Sequence, residues 1–206
     1  MKLVNVNQMR AIEKEADSKG VSYAQMMENA GRGLAEIVHA LGAENGWDFV
    51  TGVVGSGKNG GAALVALAWL SGAGWRTQAY LVNRKADDSL VARYLEAGGS
   101  VFQSASDPVH ESLREAIAAS DVFLDGLLGT GIKLPLKEEA ALVLASALRA
   151  IAAVDPPPFV IAVDCPSGAD CDTGACAPET IPADLTVTMA AVKQGLLKLP
   201  AFELVG

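Results

Sequence analysis

A chain of 206 residues, half of them apolar, is long enough to bury one substantial core and needs no second domain to do so. A formal net charge of −8 argues against the basic face that nucleic-acid binders build from Lys and Arg. No apolar run reaches membrane-spanning length and the N-terminus lacks a signal-peptide pattern, so the expectation is a cytoplasmic protein without nucleic-acid or membrane partners.

In chain order, Asn7 is placed to cap a first helix to about residue 19, with Met9, Ile12 and Ala16 at helical spacing and Gly20 as its stop. Ser22-x-x-Gln25 has the form of a capping box and opens a longer helix, whose apolar stripe of Met26, Ala30, Leu34, Ile37 and Leu41 ends at Gly42. Met26 and Met27 read as core packing. The β-branched run at 49–54 breaks into Gly55-Ser-Gly57-Lys58-Asn59-Gly60-Gly61 and reopens as a helix to residue 73 that is apolar nearly all round, as for a helix packed between two layers. Glycines there let several N–H groups point into one concavity at a helix N-terminus, which suits phosphate oxygens.

Further strands are expected at 76–82, 101–102, 122–124, 160–163 and 185–189, with helices at 87–97, from the Ser106-Asp107-Pro108 cap to 119, and at 137–153. This alternation predicts an α/β fold with a Rossmann-like, mostly parallel sheet carrying helices on both faces. Ligands of such sheets sit beyond the carboxyl ends of the strands. Asn59, Asp125, Asp164 and Lys193 each follow a predicted strand, so four loops distant in sequence should converge on one crevice. Cys165, Cys171 and Cys176 form neither an even set nor a C-x-x-C pair, and are expected to be free thiols.

Two short motifs compete for the glycine loop. Gly55-x-Gly57-x-x-Gly60 matches a dinucleotide fingerprint, but in place of the acid that would hold a ribose stands Asn83-Arg84-Lys85, which suits a 2′-phosphate instead. Gly52-x-x-x-x-Gly57-Lys58 approaches the NTPase phosphate loop, yet Asn59 lacks the hydroxyl that coordinates magnesium and Gly52 lies inside the predicted strand.

The longer motifs are more specific. Gly55-Ser-Gly57-Lys58-Asn59-Gly60-Gly61-Ala62-Ala63-Leu64 resembles the G-x-G-N-N-G-G-D-G-L loop of the NAD(P)H-hydrate epimerases, the YjeF N-terminal domain family. The stretch from Asp125 through Gly129-Thr130-Gly131 to Pro135 resembles its D-A-x-x-G-T-G-x-x-x-P, and that from Val163 to Gly174 its V-D-x-P-S-G-x-x-x-x-T-G. The run from Thr186 through Lys193 is similar to T-V-T-F-x-x-x-K-x-G-L, and Met26-Met27-Glu28-Asn29-Ala30-Gly31 to L-M-E-x-A-G.

The resemblance implies a three-layer α/β/α sandwich, a homodimer, and interconversion of the R and S forms of hydrated NADH or NADPH. It implies a potassium ion held by Asn59, Asp125 and Ser167, all oxygen donors of the kind a hard cation takes. It implies substrate contacts from the glycine loop (Lys58, Asn59, Gly60, Gly61, Ala62), from Gly129, Thr130, Gly131, Ile132, Lys133, Leu134 and Pro135, and from Asp164. Asp164 and Lys193 are then the candidate catalytic pair, Asp164 as acid or base and Lys193 as proton partner or charge, with the roles open to exchange.

Three residues of the glycine loop depart from the pattern. Lys58, Ala62 and Ala63 stand where the family has Asn, Asp and Gly. Ala62 can accept no hydrogen bond, Ala63 carries a Cβ where the family has none, and Lys58 brings a charge that either holds a phosphate or takes the cation's place. The expectation is an active epimerase; the alternative is a non-catalytic member that binds a nucleotide or a partner. The family's chains commonly continue beyond this domain, often into an ADP- or ATP-dependent dehydratase, so a piece of a longer bifunctional protein is also expected.

Overall fold

Successive side chains of a strand point to opposite faces, and in the central strands here both sets are apolar, so both faces must be covered. The computed structural model describes residues 2–206. In chain order it contains β1 (Leu3–Val4), α1 (Val6–Ser18), α2 (Tyr23–Asn45), β2 (Phe49–Val54), α3 (Lys58–Gly72), β3 (Arg76–Leu81), α4 (Ser89–Glu96) and β4 (Ser100–Gln103). It continues with α5 (Glu111–Ala119), β5 (Val122–Gly126), α6 (Glu138–Ala152), β6 (Phe159–Val163), β7 (Leu185–Val187) and β8 (Val192–Lys193), with short 3₁₀ turns between and after.

Six strands form one parallel sheet in the order β4-β3-β2-β5-β6-β7. On one face Val50, Val54, Leu124 and Ile161 pack with Leu34 of α2, Leu67 of α3 and Tyr94 of α4. On the other, Val53, Tyr80, Phe123 and Val160 pack with Leu113 and Ile117 of α5 and Val143 and Ala147 of α6. This is the expected three-layer α/β/α sandwich with a Rossmann-like sheet. The chain moves outward from β2 in one direction and then restarts beside it at β5, so the topological switch point lies between β2 and β5. As expected, α3 is buried along most of its length.

Several boundaries move for local reasons. Asn5, not Asn7, caps α1, in a reciprocal box with Gln8: the Gln8 N–H donates to Asn5 Oδ1 (2.7 Å) and the Asn5 N–H to Gln8 Oε1 (2.9 Å). Ser22 caps α2 by accepting the Gln25 N–H, but the Gln25 side chain turns to Asn29, so only half the box forms. The helix runs past Gly42, whose bare face receives the Trp75 ring: a Cβ there would lie 2.2 Å from Cζ2. It stops at Gly46, in the left-handed region at φ 76°. Asp107 still caps α5, its carboxylate accepting the Glu111 and Leu113 N–H groups, while the helix itself starts at Glu111 after a turn.

The sequence pattern gave no sign of β1 and β8, which pair in parallel from opposite ends of the chain with Val4 opposite Lys193. All three cysteines are free; Cys165 and Cys171 are buried. No helix among the described residues is long and apolar enough to cross a membrane.

Candidate active site

The loops after β2, β5 and β6 meet at the switch point and wall a cleft of about 1280 Å³. The loop after β2 can approach the loop after β5 because Gly55 has no side chain: a Cβ would sit 1.9 Å from the Leu127 carbonyl oxygen. Arg84, which follows β3, holds this loop from below. Its Nη1 donates to the Gly55 carbonyl at 2.8 Å and its Nη2 pairs with Asp88 at 3.0 Å, with the side chain 6% exposed. Arg84 is therefore committed to the loop's backbone and is not free to grip a 2′-phosphate. Its role as a clamp left no trace in the sequence.

Beneath the cleft floor, Asp125 near the end of β5 is 1% exposed. One carboxylate oxygen, Oδ2, accepts the Ser167 N–H at 2.6 Å. Among the described residues no donor reaches Oδ1 with hydrogen-bond geometry. Burial pushes the Asp125 pKa above the ordinary carboxylate value, opposed by hydrogen bonding from Ser167 and by the Leu127 backbone. The Ser167 hydroxyl lies against the Leu128 backbone, accepting its N–H at 2.8 Å and donating to its carbonyl at 3.3 Å. Asn59, in the first turn of α3, donates Nδ2 to that carbonyl at 2.7 Å, which leaves its amide oxygen for another partner. Asn59 and Ser167 thus meet at the Leu128 backbone, and Asp125 joins them through the Ser167 N–H. Among the described residues no three His, Cys, Asp or Glu side chains form a metal cluster.

The expected catalytic pair is formed. Lys193 is 0% exposed, and its ammonium donates to Asp164 Oδ1, to the Met189 carbonyl at 3.0 Å and to Thr188 Oγ1 at 3.3 Å. All three of its N–H bonds are spent inside the protein. Asp164 follows β6 in the left-handed region at φ 67°, a conformation that aspartate tolerates better than most residues. Its Oδ1 also accepts the Met189 N–H at 2.7 Å, whereas Oδ2 makes no hydrogen bond and is not buried. Both residues line the cleft.

Other expected contacts fall around the same cleft. Gly129, Thr130, Gly131, Ile132, Lys133 and Pro135 line it, while Leu134 does not. Gly60 and Gly61 are buried in the α3 turn behind it, and Ala62 reaches it. Lys58 does not take the cation's place: its ammonium pairs with Glu13 at 2.6 Å and lies 4.0 Å from the Tyr23 ring centroid. Met26 and Met27 also line the cleft, so they are not simply core.

An open doubly wound α/β sheet with buried polar groups at its switch point is a ligand-binding architecture. A family model described as YjeF-related protein N-terminus matches residues 23–195, and the chain belongs to that family. It is 35% identical over 202 residues to the NAD(P)H-hydrate epimerase of Rhodopirellula baltica, covering 94% of this chain and 78% of that one. It is 35% identical over 198 residues to the bifunctional NAD(P)H-hydrate repair enzyme Nnr of Archaeoglobus fulgidus, covering 96% of this chain but 39% of that protein's length. The crystal structure of yeast ynu0 superposes with a TM-score of 0.81 at 20% identity, covering 100% of this chain and 85% of that one, which supports the fold.

The structure also explains Ala63. The family pattern has Gly at that position and Ala after the strand aspartate, whereas this chain has Ala63 and Gly126. A Cβ on Gly126 would lie 2.7 Å from the Ala63 Cβ, so a single methyl group fills the gap between α3 and β5 from one side or the other. Gly126→Ala should therefore destabilise the protein by about 1–3 kcal/mol in urea unfolding through overpacking. Adding Ala63→Gly should recover more than the roughly 1 kcal/mol that glycine costs a helix. Simple additivity of the two changes would show that they do not share the space.

Proposed function

We infer that this chain interconverts the R and S forms of hydrated NADH or NADPH. The observation that carries the reading is Asp164, held by a buried lysine through one oxygen and offering the other to the cleft, in a chain that belongs to the family and resembles the curated epimerases along most of its length. The hydrate bears a hydroxyl on the ring carbon beside the ring nitrogen. The nitrogen lone pair can expel that hydroxyl if a proton reaches it, leaving an iminium that water attacks from the opposite face. Asp164 Oδ2 delivers the proton to the departing hydroxyl and recovers one when water adds, the flat iminium ring turning its other face to Asp164 between the two steps, so the cycle consumes nothing. Because the three N–H bonds of Lys193 are already used, its part is to hold and charge-balance Asp164. In this reading the two residues have different roles.

The buried polar floor supports a monovalent cation, which we propose is potassium. An orphaned carboxylate oxygen on Asp125, an unused amide oxygen on Asn59 and the hydroxyl of Ser167 form a hard-oxygen donor set around the loop that carries Gly129. Bound there, the ion would offset the buried charge of Asp125 and brace the two loops that meet the dinucleotide. The same proposal includes a cytoplasmic setting, supported by three free thiols, and a homodimer, for which Leu199 and Phe202 offer exposed apolar surface. Fusion to a dehydratase is supported by the bifunctional relatives, of which this chain spans 39% of the length.

Two measurements test this. Asp164→Asn keeps the shape and the tolerance of a left-handed backbone but cannot exchange the proton, so epimerisation of purified hydrate should fall about 100-fold or more, and because the variant leaves buried Lys193 without its counter-charge its melting temperature should fall as well. A wild-type rate in that variant would remove Asp164 from catalysis. Potassium chloride, compared with choline chloride at equal ionic strength, should raise the melting temperature, with about 1.4 kcal/mol gained at ten times the dissociation constant. Asp125→Asn should abolish the potassium-specific rise; an equal rise in both proteins would place the ion elsewhere.

A further inference from the structure

Two non-glycine residues in the loops that meet at Lys193 lie in the left-handed region, Asp164 at φ 67° and Ala190 at φ 59°. Each is the middle residue of a turn closed by a backbone hydrogen bond, from the Cys165 N–H to the Val163 carbonyl at 2.8 Å and from the Ala191 N–H to the Met189 carbonyl at 2.6 Å. Turns of this length with a positive φ are the rare, strained kind. Aspartate is among the residues that tolerate such a backbone, whereas alanine meets the full clash of its Cβ and gains no side-chain hydrogen bond in return. Strain of this kind persists only where the surroundings hold it in place.

Ala190 is held through its neighbour. Met189 serves both members of the Asp164–Lys193 pair: its N–H donates to Asp164 Oδ1 at 2.7 Å, and its carbonyl accepts from the Lys193 ammonium at 3.0 Å. The φ rotation of Ala190 turns the planar Met189–Ala190 peptide, so it decides where that carbonyl points. A relaxed, negative φ would swing the carbonyl aside and leave an ammonium of 0% exposure one acceptor short. The Thr188 hydroxyl accepts from Lys193 at 3.3 Å and donates to the Ala191 carbonyl at 3.2 Å, which ties the two flanks of the turn together. Ala190 itself is exposed on the cleft wall, so burial of its methyl group does not account for the conformation.

We propose that Ala190 is a positioning residue for Asp164: its left-handed turn holds the Met189 peptide between Asp164 and Lys193, and so keeps Asp164 Oδ1 occupied and Oδ2 open to the cleft. The kinetic consequence rests on the proposed epimerase function. What position 190 requires is a backbone that accepts a positive φ, not a particular side chain. Glycine meets that requirement without strain and asparagine with little, whereas a β-branched residue is a true outlier there. Because the side chain is exposed, a larger one has room, and backbone tolerance can be separated from size.

Ala190→Gly, Ala190→Asn and Ala190→Val test this, with epimerisation kinetics on purified hydrate and hydrogen exchange of the Met189 N–H measured by nuclear magnetic resonance. Asparagine and valine are similar in bulk and differ in their tolerance of the turn. The Gly and Asn variants should keep kcat within about threefold of the wild type, while Val lowers kcat about tenfold at unchanged KM. The Met189 N–H should exchange about tenfold faster in the Val variant alone. Equal losses of kcat with Asn and Val would make position 190 a matter of space in the cleft and overturn the inference. So would a Val variant that melts earlier but keeps its kcat, which is the mark of a purely structural turn. A wild type that turns over neither hydrate would overturn the epimerase reading; the exchange pattern then decides the turn by itself, fast exchange in Val alone supporting it and equal exchange in all variants overturning it.

Discussion

A lysine with no exposed surface must keep a carboxylate beside it, because an unpaired buried charge costs several kcal/mol. Lys193 meets this demand with Asp164, and much of the local architecture follows from where the two must stand. Lys193 lies on β8, which among the described residues pairs with β1 alone, so the N-terminal part of the chain braces the last part of the site. Asp164 reaches it from the end of β6 by taking a left-handed backbone turn, and the Met189 N–H holds the same oxygen from the β7 side. The pair thereby ties the edge of the sheet to both ends of the chain. It also leaves one carboxylate oxygen facing the cleft, which is what a proton-exchanging group requires.

Asp125, one strand away, shows the opposite solution. It has no ion-pair partner among the described residues, and backbone donors serve one oxygen only. A parallel sheet brings both aspartates to the carboxyl ends of neighbouring strands, β5 and β6, but only one of them is given a permanent counter-charge. The other has only backbone donors, with the Ser167 hydroxyl and the Asn59 amide bonded to the nearby Leu128 backbone. Leu128 joins these residues through its backbone, so whatever occupies the position bears directly on the loop from Gly129 to Pro135.

The layered sheet was legible because apolar runs, turn residues and helical spacing agree along most of the chain, and the convergence of Asn59, Asp125, Asp164 and Lys193 followed from placing each after a strand. β1 and β8 were not legible: two residues each are too short to show a period, and the partner lies at the far end of the chain. Gly42 misled because a glycine inside a helix can serve packing, here against Trp75, as well as stop the helix. Arg84 and Arg10 carry no local pattern at all. One is buried under the glycine loop and the other lines the cleft with no ion-pair partner among the described residues, a difference that only tertiary placement decides. Ala63 looked like damage to the glycine loop when read alone; beside Gly126 it is the same methyl group supplied from the facing element.

The central claim is that the hydroxyl leaves the ring as water and returns from the other face, with Asp164 moving the proton. An alternative would open the ring at the carbon–nitrogen bond and close it again, keeping the original oxygen. Epimerisation in water enriched in oxygen-18, followed by mass spectrometry of both hydrate forms, separates the two. One labelled oxygen is expected in each newly formed epimer, at the rate of interconversion; epimers that retain the original oxygen would overturn water loss and return.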